Sequence, residues 1–411
     1  MKKFDIVVFG ATSFVGNIMV QYLLNTYPAG SDITWAIAGR SEKKLKSVLE
    51  KHNAATSDIP IILCDAQNDS QIQAMCEQAE IIISTVGPYA IYGEPIVRIC
   101  AARGVHYLDL TGEPQFIEKM LSRYEDVAKT TGAHILHTCG FDSLPSDLGV
   151  YYLQQLAKTK YNVPCEHIKM RVKRIKGSFS GGTAASMMNI IKEARYNPHV
   201  RRVMTDPYSL CPKQHGFTTR QHNHKSAEYE DEFNAWAAPF VMASINTKIV
   251  HRTNALLDKA YGEHFKYDEA MLTGKDNQGA FRAYATSTGL AVFTAAAAFS
   301  PSRWLLEQFV LPKSGEGPSP EEQENGFFDL RFLGKMPSSQ SIRVKVTGDR
   351  DPGYGSTAKM LTETAVTLHK YLKEHDSHGG FWTPAALLGE TLIERLSSHA
   401  GLSFEEIDSE R

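Results

Sequence analysis

The sequence carries almost no net charge: 44 Lys and Arg offset 46 Asp and Glu, a formal balance of −2. Nothing in that balance attracts nucleic acid, so a phosphate-bearing ligand has to be held by a few placed groups. Cysteine is scarce. Cys64, Cys76, Cys100, Cys139, Cys165 and Cys211 are scattered, and none forms a C-x-x-C pair. A disulfide framework and a cysteine metal site are both disfavoured, and the thiols read as small buried groups in a reducing, cytoplasmic setting. His222 and His224 have no nearby cysteine or second histidine pair, so they read as part of a solvated loop rather than a metal site. No apolar run is long enough to span a bilayer. The nearest approach, Thr288–Ser300, reads as a buried helix, with peripheral membrane contact as the alternative. Repeats and low-complexity tracts are missing too. The opening Met1-Lys2-Lys3 precedes an apolar run that stops at Gly10 without a small-residue cleavage site, which makes it a first strand rather than a signal peptide.

What is present begins with length: 411 residues favour two domains. Six short runs, Asp5–Phe9, Ile33–Ala38, Ile59–Cys64, Glu80–Thr85, His106–Leu110 and His134–Thr138, are mostly continuous and apolar, as strands covered on both faces are. Helical patterns separate them, and Gly104 and Gly132 stand where C-caps want glycine. This alternation predicts an α/β, Rossmann-type doubly wound parallel sheet. Beyond Pro145, Ile168, Met170 and Val172 alternate with basic residues, and Ile342, Val344 and Val346 repeat the pattern. These predict an α+β second domain on a mostly antiparallel sheet. Thr205–Asp231 and Leu311–Asn325 read as largely loop. Thr357–Lys373 and Pro384–Ser398 are helical patterns expected to return to the first sheet. The expected division is therefore 1–150 with 355–411 for the nucleotide domain, and 151–354 for the second.

The strongest local signal is Gly10-Ala11-Thr12-Ser13-Phe14-Val15-Gly16, placed after a strand and opening a helix. Gly10 suits the tight turn and Gly16 suits close helix–sheet packing, while amides at the helix start face a pyrophosphate. Ser13 replaces the usual middle glycine, and its hydroxyl is a candidate phosphate ligand. Where an NAD site carries an acid for the ribose 2′-OH, this chain has Gly39-Arg40-Ser41. Arg40 matches a 2′-phosphate and points to NADP(H). Asp65, past the third strand, either bonds the adenine or caps the next helix. Thr85-Val86-Gly87-Pro88 closes the fourth strand, where an open α/β sheet presents its ligand crevice. Tyr89 is either a proton donor there or an aromatic packed beneath the loop. Asp109 and Glu113 follow the fifth strand on the same edge as candidate substrate groups. Asp142, after the sixth, either works on substrate or caps the helix near Pro145. In the second domain Gly181-Gly182-Thr183 opens a helix and is a candidate anion site for a carboxylate or thioester. Asp349–Gly355 crosses back to the first domain.

Taken in order, these motifs resemble the saccharopine dehydrogenase-like oxidoreductases. Tyr107–Glu113, Cys139–Asp147, Ser180–Thr183, Gly315–Pro320 and Trp382-Thr383-Pro384 join the fingerprint in the resemblance, which covers nearly the whole chain and is strongest to the branch of the mycobacterial trans-acting enoyl reductases. It implies a split Rossmann domain, a nicotinamide cofactor and hydride transfer to a C=C or C=N bond. The carboxylate-binding arginines that saccharopine needs are not placed, so that substrate is not carried over. Two functions remain. One is an NADP(H)-dependent oxidoreductase acting on a small-molecule or acyl-type substrate. The other is a non-catalytic NADP(H)-binding protein that docks lipid or protein partners through its second domain. Neither calls for nucleic acid, a metal or a transmembrane segment, and a homodimer is left open.

Overall fold

Each of the six runs expected as strands overlaps one. A computed structural model describes residues 2–54, 58–177, 181–310, 317–338 and 340–408. Ser178–Ser180 of the glycine turn, and Gly315 and Glu316 of the later loop, lie outside the described residues. In chain order, β1 is Phe4–Phe9, β2 Trp35–Gly39, β3 Ile61–Leu63, β4 Ala79–Ser84, β5 His106–Asp109 and β6 His134–Leu136. They are followed by β7 His167–Lys176, β8 Glu228–Glu230, β9 Ala235–Pro239, β10 Lys266–Gly274, β11 Phe327–Lys335 and β12 Ser341–Gly348, then β13 Gly380–Trp382 and β14 Leu402–Glu406.

The first sheet runs β13-β6-β5-β4-β1-β2-β3. All its pairings are parallel. Ile6, Val7, Val8 and the Ile81–Ile83 run are fully buried because helices cover both faces. The second sheet runs β14-β12-β11-β7-β10-β9-β8 and is antiparallel except for β7 with β10. The alternation of Ile168, Met170 and Val172 puts all three in the core.

The end of the chain serves both sheets. β13 adds a seventh parallel strand beside β6, and helix Thr357–Glu374 lies against helix Phe14–Thr26. There the Glu363 carboxylate accepts from Tyr22 Oη at 2.7 Å and Tyr27 Oη at 2.9 Å, and pairs with Arg395 Nε at 2.6 Å. β14 then pairs with β12, so the last strand goes to the second sheet and not to the first.

Two expectations need correction. Thr288–Ser300 is not a buried segment. It lies mainly in helix Asn277–Ala298, of which only Gly279, Ala283 and Ala297 are buried. The helix packs on β9, β10, helix Gly181–Tyr196 and the helix that follows it, and most of its other side is exposed. Phe281 is 74% exposed, Val292 63% and, in the following helix Ser300–Phe309, Trp304 55%. No helix among the described residues is long and apolar enough to cross a membrane. Nor are both loop histidines solvated. His222 is exposed, but His224 is buried beside Glu230 and Asp268. The Arg171 guanidinium, itself fully buried, pairs with Glu230 at 2.6 Å and Asp268 at 2.7 Å. That cluster already holds its cation.

Candidate functional site

The loops that leave the carboxyl ends of β1, β2, β4, β5 and β6 gather along one edge of the parallel sheet, where an open α/β sheet binds ligands. At the β1 turn, Gly10 has φ of +92° and lies hard against the end of β4, so that an added Cβ would stand 2.7 Å from Thr85 Oγ1. At Gly16 a Cβ would stand 2.3 Å from the Gly10 carbonyl oxygen. Helix Phe14–Thr26 thus packs on its own turn at a distance that glycine alone allows, and its N-terminal end is presented to a pyrophosphate.

Ser13 is the N-cap of that helix at an ordinary φ of −70°. Its Oγ accepts from Gly16 N and donates to Thr85 Oγ1, both at 2.9 Å. Thr85 Oγ1 donates in turn to the Gly10 carbonyl at 2.9 Å. The serine hydroxyl expected on a phosphate is therefore spent on a seam that ties the β1 and β4 loops together. Thr12 is exposed on the turn, Val15 is buried, and the Phe14 ring meets Tyr354 edge to face at a centroid separation of 4.9 Å. Gly317 packs on Phe14 so closely that its Cβ would reach the ring at 2.6 Å. Residues from far along the chain therefore lie over the turn.

Arg40 is exposed at the end of β2 and makes no ion pair among the described residues, so its guanidinium is available to a 2′-phosphate. Ser41 beside it caps helix Glu42–Lys51 by accepting from Lys44 N at 3.4 Å. Asp65 does not cap the next helix. Asn68 does, and the Asp65 carboxylate accepts from Gln67 N at 2.9 Å. Val86, Gly87 and Pro88 follow β4 at the crevice, with Gly87 exposed.

Three of the polar groups expected to meet substrate are closed off instead. Tyr89 is 5% exposed, donates its hydroxyl to the Ser84 carbonyl at 2.9 Å and packs its ring near Phe116. Burial, reinforced by Asp109, pushes its phenol well above the usual range, which leaves packing as its role. Asp109 is fully buried and accepts from Tyr107 Oη at 3.0 Å, Thr111 N at 3.1 Å and Thr138 N at 3.2 Å, with His137 Nδ1 at 2.7 Å. Glu113 is fully buried as well. It accepts from Tyr89 N and Ala90 N at 2.9 Å, and from Ser186 Oγ at 2.7 Å. Burial raises its carboxyl despite those bonds. Neither carboxylate has surface to offer a ligand; both hold loops in place.

Asp142 is different. It is half-buried in the loop after β6, and helix Leu144–Tyr161 starts from Ser143, so Asp142 is not its cap. Its Oδ2 lies over Gly112, where a Cβ would stand 3.4 Å away, and Met242 Cε closes on the same glycine. Burial, and then the Asp109 charge, raise its carboxyl to about 7. A crevice acid that is still protonated near neutrality can donate a proton.

Sequence reasoning missed the groups that join the two sheets here. Ser186, one turn into helix Gly181–Tyr196, brings the Gly181–Thr183 helix start to the β5 loop through Glu113. Gly182 is exposed on that first turn. Asn246 spans from Ser143 Oγ, at 3.0 Å, to Glu269, at 2.9 Å. No periodicity announces either residue, because each acts across more than seventy positions or between elements of opposite sheets.

Comparison with known proteins agrees with this geometry. The family described as saccharopine dehydrogenase NADP binding domain matches residues 6–136. A Mycobacterium tuberculosis relative is 37% identical over 98% of this chain and 97% of its own length. The trans-acting enoyl reductase of Mycobacterium bovis is 34% identical, with 96% of each chain covered. Among solved structures, apo saccharopine dehydrogenase (L-Glu forming) of Saccharomyces cerevisiae superposes with a TM-score of 0.54 at 10% identity, covering 98% of this chain and all of that one, a likeness of fold. The glycine cradle fits a dinucleotide, Arg40 fits its 2′-phosphate, and the relatives match from end to end: the chain belongs to the saccharopine dehydrogenase-like oxidoreductases, in the branch of the trans-acting enoyl reductases, with NADP(H) as cofactor.

Proposed function

We propose that this oxidoreductase reduces the C=C bond of an enoyl thioester. The observation that carries the reading is likeness over essentially the full length to proteins named trans-acting enoyl reductases. When bound, NADPH supplies a hydride, an electron pair for the β-carbon. The chain has to orient the substrate and deliver a proton to the α-carbon, giving the saturated thioester and NADP+. Arg40 holds the 2′-phosphate and the Gly10–Gly16 turn, with Thr12 exposed on it, faces the pyrophosphate. Val86, Gly87 and Pro88 leave room for a flat ring at the end of β4. Asp142 is the proton source, its carboxyl raised to about 7. The start of helix Gly181–Tyr196 faces the thioester oxygen, where negative charge develops.

The exposed apolar helices favour a second reading, a cofactor-binding protein that docks lipid, protein or a second copy of itself there. Six free thiols, five of them buried, fit the cytoplasm. NADPH oxidation against a panel of enoyl thioesters and imines separates the two readings. Turnover with an enoyl thioester, declining above about pH 7 as Asp142 loses its proton and strongly reduced in Asp142→Asn, is the expected result. No oxidation by any of them leaves the docking reading. Arg40→Ala should weaken NADPH binding by about 1.5–3 kcal/mol and leave NADH binding unchanged. Equal affinity of the unaltered chain for both cofactors removes Arg40 from that role.

A further inference from the structure

A cavity of about 820 Å³ lies on the second sheet between helices Gly181–Tyr196 and Asn277–Ala298. Its size is that of a site for a drug-sized or larger ligand. Met187, Ile190 and Ile191 line it from one helix and Leu290, Ala291 and Phe293 from the other. Helix Asn277–Ala298 therefore turns apolar atoms to the cavity as well as to its outer side. Small residues keep that wall open. Ala291 and Ala295 line the cavity and are exposed.

Polar groups line the cavity too, among them Lys225, Lys248, and Tyr267 and Glu269 of β10, with Tyr267 Oη donating to Glu269 at 2.7 Å. Glu269 is joined through Asn246 to Ser143, the neighbour of Asp142. Val241 and Ala243 line the cavity on either side of Met242, whose methyl closes on Gly112. Helix Gly181–Tyr196 is tied to the loop after β5, where Ser186 donates to the buried Glu113. A cavity walled by two apolar helix faces thus adjoins the loops that carry Gly112 and Asp142.

We propose that this cavity holds the hydrocarbon chain of the thioester substrate, with the reacting carbons at the crevice and the chain between Ile190 and Leu290, so that this wall selects chain length. The proposal rests on the enoyl thioester reading. Its test is binding without turnover. Saturated acyl thioesters of coenzyme A, from butanoyl to dodecanoyl, are titrated calorimetrically into the full chain with NADPH present. Affinity should rise roughly fourfold per methylene until the cavity is filled. Ala291→Trp should lower dodecanoyl affinity at least tenfold and leave butanoyl unchanged, while Leu290→Ala should move the plateau to longer chains. Equal affinity along the series overturns the proposal, as does a folded Ala291→Trp chain that binds dodecanoyl as well as before. Binding to phosphatidylcholine vesicles with no response to soluble thioesters overturns it too. If a short enoyl thioester oxidises NADPH while the series is flat, the cavity assignment falls and the reductase reading stands. A steep series with no enoyl thioester reduced supports the cavity and removes the reductase reading.

Discussion

Helices Thr357–Glu374 and Asn277–Ala298 show how little composition says about burial. The first carries threonines, a glutamate and a histidine, yet from Thr357 to His369 every residue but Lys359 is buried. The second is the more apolar, yet only Gly279, Ala283 and Ala297 in it are buried. The difference lies in the partners. Helix Thr357–Glu374 enters a slot between the parallel sheet, helix Phe14–Thr26 and helix Pro384–His399. Its threonines donate back to carbonyls four residues earlier, as Thr362 does to Ala358 and Thr364 to Met360. Glu363 meets Arg395 and two phenols, Tyr22 and Tyr27, whose pKa values burial and Glu363 raise. Polar groups are cheap to bury when every donor has an acceptor. Helix Asn277–Ala298 has sheet and helix on one side, and most of its other side is exposed.

The contrast is broken most severely by removing the returning segment. A chain ending at Arg350 loses helices Thr357–Glu374 and Pro384–His399 together with β13 and β14, which exposes one face of the parallel sheet. It should aggregate on expression, as solubility and circular dichroism would show. Cooperative unfolding with normal NADPH binding in that shortened chain would mean the slot does not hold the domain together.

Within the slot, Glu363→Ala leaves Arg395, with a side chain 15% exposed, without its carboxylate and Tyr27 without its acceptor, while Tyr22 keeps the His399 carbonyl at 3.2 Å. The expected loss is about 3–5 kcal/mol in urea denaturation, the usual effect of breaking a buried pair. A loss below about 1 kcal/mol would show that water reaches Arg395 readily.

Asp147 gives a smaller, pH-dependent effect. It is fully buried, accepts from Thr253 Oγ1 at 2.6 Å and Ala385 N at 3.3 Å, and burial raises its carboxyl to about 7. Because the folded carboxyl keeps its proton to higher pH than the unfolded one, its contribution is full below about pH 4, falls as pH rises toward 7 and is level above. Asp147→Asn has no such fall. The stability of the original chain relative to this variant should drop by about 1–3 kcal/mol between pH 5 and pH 8. A constant difference over that range would place the carboxyl at its ordinary value.

The smallest effect belongs to the open helices. Phe281→Ser and Trp304→Ser should each change stability by less than about 0.5 kcal/mol, because those rings touch mostly solvent. A larger loss in dilute solution would reveal a cover for this face, such as a second copy.

Much of the cofactor end of the site was legible from single positions. Gly10 and Gly16 announce themselves because no side chain fits there, and Arg40 because a basic residue stands at the end of β2 where an NAD site carries an acid. Ser13, Tyr89, Asp109 and Glu113 were not legible in the same way. Their types suit a ligand and a hydrogen-bonded loop equally well, and Thr85, Ser84, His137 and Ser186 decide between the two.

The sequence by itself determined the strands of the parallel sheet, the close glycine turn after β1, an exposed arginine at the end of β2 and the alternation that builds the second sheet. Those are local properties: a period, a missing Cβ, a charge at a fixed distance from a strand end. Tertiary structure alone decided that β14 crosses to the second sheet and that Arg171 lies buried among acids. It also decided that Asp142 is left in the crevice while Asp109 is sealed below it, and that the apolar helix Asn277–Ala298 stays largely open. Burial and polar pairing depend on which distant segment arrives to cover a group, and no window of neighbouring residues contains that segment.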